Sequence, residues 1–108
     1  PRPPVPLPAG LPAEPRAMGA SAIRYRVPPA IELPMASRRL GERGTVLLRV
    51  VVDANGLPRL ISLHRSSGFA RLDEQAMSAM RGARFQPLED RGGAFEWLVI
   101  APLQYDLD

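Results

Sequence analysis

The chain has 108 residues, of which 45% are hydrophobic and 23% charged, with a formal net charge of +3. That leaves room for one small domain of ordinary globular composition, and no apolar run approaches the roughly 20 residues of a membrane span. Cysteine is absent, which excludes disulfides and thiolate chemistry, and all 14 basic residues are arginine, scattered among 11 acidic ones rather than gathered into a polycation.

Ten of the 13 prolines fall within the first 34 residues. Pro1 to Pro15 has too few apolar side chains to fold alone and favours extended polyproline II, as a semi-rigid spacer or simply as a tail. Residues 1–30 therefore read as a proline-rich linker or partly ordered segment, and 31–108 as the folded domain. The chain opens on Pro1 rather than Met and reads as a soluble piece of something longer. Ile23, Tyr25 and Val27 alternate with Arg24 and Arg26, the pattern of a short edge strand that Pro28-Pro29 stops. Pro34 to Gly41 suits one or two helical turns, with Pro at the first position and Gly closing the end.

From Thr45 to Val52 the chain is almost wholly β-branched or aliphatic, which predicts a strand. Asp53-Ala54-Asn55-Gly56 is a hairpin turn signal, and Leu57 to Ser66 returns as the second strand. Strand parity turns Val46, Leu48, Val50 and Val52 toward a covering helix, and Ile61 and Leu63 with them. Thr45, Leu47, Arg49, Val51 and Asp53 fall on the other face with Ser62 and His64. Leu47 and Val51 are then covered by a second sheet, a partner or the N-terminal segment, or stand as isolated surface aliphatics. Beyond Ser66-Ser67-Gly68 the period changes. Leu72, Ala76, Ala79 or Met80, and Ala83 recur on one helical stripe, so hairpin and helix can bury each other.

Phe85 anchors the turn into Pro87, Leu88 to Gly93 is a polar loop, and Phe95 to Leu107 is the last strand. Trp97, Val99, Ala101, Leu103 and Tyr105 share one parity; Glu96, Leu98, Ile100, Pro102 and Gln104 share the other. Proline cannot donate to a ladder, so this strand should have one unpaired side, and such an edge offers N–H and C=O groups to an extended peptide. His64, Ser66, Ser67 and Asp73 invite a nucleophile–base–orienter reading, but no oxyanion site or nucleophile elbow accompanies them. The plainer reading has the serines ending the strand and Asp73 meeting the positive end of the helix dipole. With one His and no carboxylate cluster, neither a metal site nor a cofactor is expected.

The ordered run G-T-V (44–46), D-x-x-G (53–56), S-S-G (66–68), L-D-x-x-A (72–76) and R-F-x-P (84–87) resembles the C-terminal domain of the TonB energy-transducer family. Leu33-Pro34 with Arg38-Arg39 resembles its lead-in, with Leu33 for the usual Tyr and Ser37 for Ala. The close resembles its V-P-x-x-F ending, with Tyr105 at the aromatic position. Ala83 stands where the family often has Trp, a volume that Trp97 could fill. The resemblance implies an α+β fold: about three antiparallel strands, a hairpin plus a C-terminal edge strand, with one main and one short helix on one face. It implies a non-enzymatic periplasmic module of a protein anchored in the inner membrane of a Gram-negative bacterium. The partners it implies are TonB-dependent outer-membrane receptors, whose N-terminal peptide pairs beside the last strand, and an ExbB–ExbD-like complex reached through a missing N-terminal region. The uptake served would be of nutrients such as iron chelates. The partner-binding residues it implies are Phe95, Trp97, Leu98, Val99, Ile100, Ala101, Leu103, Gln104 and Tyr105 on the edge, and Glu32, Leu33, Pro34 and Arg38 in the lead-in.

Other uses stay open. The same edge could form a homodimer, and the same fold could serve as a cell-envelope scaffold for a different protein. A nucleic-acid module would need a basic stripe with stacking aromatics, and only 6% of residues are aromatic.

Overall fold

The structure, a computed structural model, describes residues 15–106. The expected polyproline spacer before Pro15, and Leu107 at the end of the expected last strand, lie outside the described residues. In chain order the elements are β1 (Arg16–Ala17), a 3-10 turn (Ala20–Ala22), β2 (Tyr25–Val27), α1 (Met35–Leu40), β3 (Gly44–Val52) and β4 (Pro58–Arg65). There follow α2 (Ala70–Arg81), β5 (Arg84–Phe85), β6 (Glu89–Asp90), β7 (Gly93–Ala94) and β8 (Trp97–Tyr105). The fold is α+β, with a main sheet in the order β1-β8-β3-β4. Its three long strands are antiparallel neighbours, and β1 adds a two-residue parallel strand that the sequence had not suggested. Two residues are too few to carry a period-2 signal.

The hairpin forms because its turn closes on itself. Asp53 accepts from the N–H groups of Asn55 (2.8 Å) and Leu57 (2.9 Å), and the Gly56 N–H donates to the Asp53 carbonyl at 3.0 Å. The positive φ falls on Gly56 (85°), whose carbonyl accepts the Phe85 N–H at 2.8 Å. A Cβ there would sit 2.0 Å from the Phe85 carbonyl oxygen, so the turn requires glycine for close approach as well as for φ.

Strand parity and helix stripe come together as predicted. Val46, Leu48, Val50 and Val52 are buried with Leu72, Ala76, Ala79 and Met80 of α2 and with the inward residues of β8. Each such Val, Leu or Met side chain contributes about 1.5–3 kcal/mol as an upper bound. The expectation for Leu63 needs correcting: it is 46% exposed, while Ile61 is half-buried. Leu63 keeps the inward parity, opposite Leu48, but among the described residues β4 is an edge strand paired with β3 alone.

The N-terminal segment joins the inner face. Met18, Ala22, Ile23 and Tyr25 pack against the core, the 3-10 turn lies against β8, and β2 pairs with β5 just after α2. Phe85 stacks between Tyr25 (4.9 Å) and Trp97 (5.6 Å, edge-on), and Ala83 is buried in the same core. On the outer face Val51 is only 7% exposed, and Leu47, Leu98 and Ile100 are half-buried. Across the sheet Val51 lies opposite Leu98, Leu47 opposite Pro102 and Ile100 opposite Arg49. α1 is closed by Gly41 at φ 70°, with Pro34 capping it one position earlier than expected. The buried Ser37 hydroxyl donates to Glu42 (2.7 Å), which accepts two bonds from Arg71 of α2 (3.2 and 3.3 Å).

Candidate functional site

Direction of hydrogen bonding decides what β8 can offer. Every residue from Trp97 to Tyr105 is in register with β3, from Val52 back to Gly44. On the opposite side the Glu96 carbonyl accepts from the Arg16 N–H (3.2 Å) and the Leu98 carbonyl from the Met18 N–H (2.8 Å). Peptide groups alternate along a strand, so the even-numbered residues of β8 point away from β3. Beyond Leu98 this leaves the N–H groups of Ile100 and Gln104 and the carbonyls of Ile100, Pro102 and Gln104 without a backbone partner among the described residues. Pro102, opposite Leu47, puts its missing donor on that open side and leaves the ladder with β3 whole. The expected unpaired edge therefore needs a correction: β1 fills it over Trp97 and Leu98, and from Val99 on it makes no backbone bond on that side among the described residues.

The side chains divide accordingly. Trp97, Val99, Ala101, Leu103 and Tyr105 have their side chains buried in the core and their peptide groups turned to β3, so they offer a guest neither, and the expectation of direct contacts at these positions is corrected. Leu98 and Ile100 are half-buried on the outer face, and Gln104 is exposed. Phe95 precedes the strand rather than lying in it, and it packs on the core while carrying the Arg16 guanidinium 4.0 Å above its ring.

The lead-in residues are only partly gathered here. A cleft of about 300 Å³ at the far end of β8 is lined by Ile31, Leu33, Arg38, Gln104, Tyr105 and Asp106, so Leu33 and Arg38 share its wall with the edge strand. Glu32 instead lines a second cleft of about 290 Å³ against α2, and Pro34 is half-buried at the start of α1. What holds the lead-in in place is a relay. The Tyr105 hydroxyl donates to Gln75 Oε1, and Gln75 Nε2 donates to the Ala30 carbonyl at 2.9 Å. Burial, and then the negative charge of Asp73, pushes the Tyr105 phenol up to about 12, so it stays a donor.

Asp73 is fully used. It accepts from the hydroxyl of Ser66, and from the N–H (2.9 Å) and hydroxyl (2.8 Å) of Ser67. Burial alone would raise its carboxyl; the Ser66 and Ser67 bonds outweigh that and lower it. These serines thus bind strand end to helix start, and His64 is exposed outside that network. Among the described residues no group of three metal-ligating side chains comes together, and no helix is long and apolar enough to cross a membrane. Arg16, which pairs beside the start of β8, and Ile31 and Asp106, which line the cleft, are site residues that the sequence reading does not single out. Proline's missing donor was the one signal in the sequence, and it marked Pro102.

The profile described as Gram-negative bacterial TonB protein C-terminal matches residues 29–107. The chain is 39% identical over 80 residues to protein tonB2 of Pseudomonas aeruginosa, covering 74% of this chain and 30% of that one. It is 36% identical over 75 residues to protein TonB of Xanthomonas campestris pv. campestris (69% and 34%), and 40% identical over 53 residues to protein TonB of Neisseria meningitidis serogroup C (49% and 19%). The chain spans about a third or less of the length of these relatives.

Proposed function

Since the chain belongs to the family of TonB protein C-terminal domains, we propose that it is the receptor-gripping module of a TonB-type energy transducer. It works in the periplasm and carries out no enzymatic step. It takes the N-terminal peptide of a TonB-dependent outer-membrane receptor as an added strand and passes on the pull that drives uptake of nutrients such as iron chelates. The pull originates in an ExbB–ExbD-like complex at the inner membrane, where the longer protein is anchored. The observation that carries this reading is the open half of β8, from Val99 to Tyr105, with the cleft at Leu33 and Arg38 at its end. The predicted contacts are the peptide groups of Ile100 and Gln104, the side chains of Leu98 and Ile100, and the cleft walls.

Strand addition suits this task. Each main-chain bond contributes about 0.5–1.5 kcal/mol net, so a few give reversible capture. A pull along the strand also loads those bonds together. The test is titration of isotopically labelled chain with extended peptides from candidate receptors. Amide shifts confined to residues 94–107 and largest at Ile100 and Gln104 support the reading. Shifts elsewhere, or none with any receptor peptide, favour a scaffold for another envelope protein. Concentration-dependent shifts at the same amides without peptide would reveal a homodimer on this edge.

A further inference from the structure

We infer that Arg16–Met18 is an internal guest on the docking edge, that a peptide long enough to use the whole edge displaces it, and that the seat Arg16 vacates selects a basic side chain. The inference rests on the strand-addition reading above. β1 occupies the same side of β8 that is open further along, by the same kind of bond an incoming strand would make. Its hold is light. Both residues of β1 are exposed, the Arg16 N–H to Glu96 bond is long at 3.2 Å, and the ion pair from Arg16 to Asp90 (2.5 Å) is open to solvent. Displacement stays local, because Ala22 and Ile23 pack on the core and tether the segment just beyond Met18.

The seat does not depend on its occupant. One Asp90 oxygen is held by the Gly92 N–H at 2.8 Å in the β6–β7 turn, leaving the other for a cation. Phe95 packs on the core and presents its ring 4.0 Å from the guanidinium. Carboxylate and ring together favour Arg or Lys over a neutral residue. A tethered competitor lowers the apparent affinity of any guest that must use the same register, and leaves a shorter guest alone.

The experiment uses the 108-residue chain and the same extended peptides from candidate receptors. Each is compared with a version lengthened at the end that reaches Trp97, carrying Arg or Ala at the position Arg16 occupies. Arg16→Ala should tighten the lengthened peptides about three- to tenfold and leave the short ones unchanged. In that variant the Arg peptide should bind tighter than the Ala peptide, and adding Asp90→Asn should abolish the preference. Exchange of the Met18 amide in the unaltered chain should quicken when a lengthened peptide binds. Unchanged affinity for lengthened peptides in Arg16→Ala with short peptides still binding, or tightening with no preference for Arg, overturns the inference and leaves strand addition standing. Absence of shifts at Ile100 and Gln104 in both chains overturns the strand-addition reading itself.

Discussion

Gly56 concentrates several demands in one residue: a φ of 85°, a carbonyl that accepts from Phe85, and no space for a Cβ. Gly56→Ala should lower stability by about 3 kcal/mol or more, read as a fall in the urea midpoint at constant slope. The Asn-Gly signal located the turn, but the collision is with Phe85, 29 positions on (85 − 56), and sequence pattern does not show it. Asp73 carries a pH-dependent contribution. Its folded-state carboxyl lies below the ordinary 3.8, because the Ser66 and Ser67 bonds outweigh the opposing effect of burial. The stabilisation is therefore complete above pH 3.8 and disappears as pH falls through the lowered value. Urea midpoints followed from about pH 6 to about pH 2 should show that acid limb, and Asp73→Asn should lack it. Tyr105 runs the other way: its contribution is intact below 10.0 and is lost as pH rises toward about 12.

Among the elements, the sheet has two outer long strands, and they differ in what they present. β4 begins at Pro58 and carries Arg59, His64 and Arg65, features that discourage an incoming strand. β8 carries no charge along its length, and its outward row of donors is interrupted at Pro102. Because Pro102 turns its missing donor to the open side, Pro102→Ala should change stability by less than about 0.5 kcal/mol. It should also tighten receptor-peptide binding roughly three- to tenfold by restoring a donor to the edge, measured by calorimetry. Proline's position was legible in the sequence. Which side of the strand it faced was set by pairing with β3.

For the molecule as a whole, order of opening should follow the layering. β3, buried between β8 and β4, sits at the centre of the sheet, while β1 rests on two exposed residues. Native-state hydrogen exchange should find the amides of Val46, Leu48 and Val50 opening only with global unfolding, and that of Met18 opening at a small fraction of that free energy. Exchange at Met18 as slow as at Leu48 would mean that the edge beside β8 is permanently closed at its start.

Periods of two and of 3.6 residues, read along the chain, determined the hairpin, the main helix, the inward rows of β3 and β8 and the turn between the strands. These are local patterns, written by the neighbours of each residue. The ordered short motifs pointed to the family that the comparison then matched over residues 29–107. Tertiary structure alone decided that Arg16–Ala17 pairs beside Trp97, that Leu33 and Arg38 line one cleft with Gln104 while Glu32 lines another with α2, and that Leu63 stays exposed. Those outcomes come from contacts between residues dozens of positions apart. A two-residue strand held by Asp90 and Phe95 has no periodicity of its own to announce it.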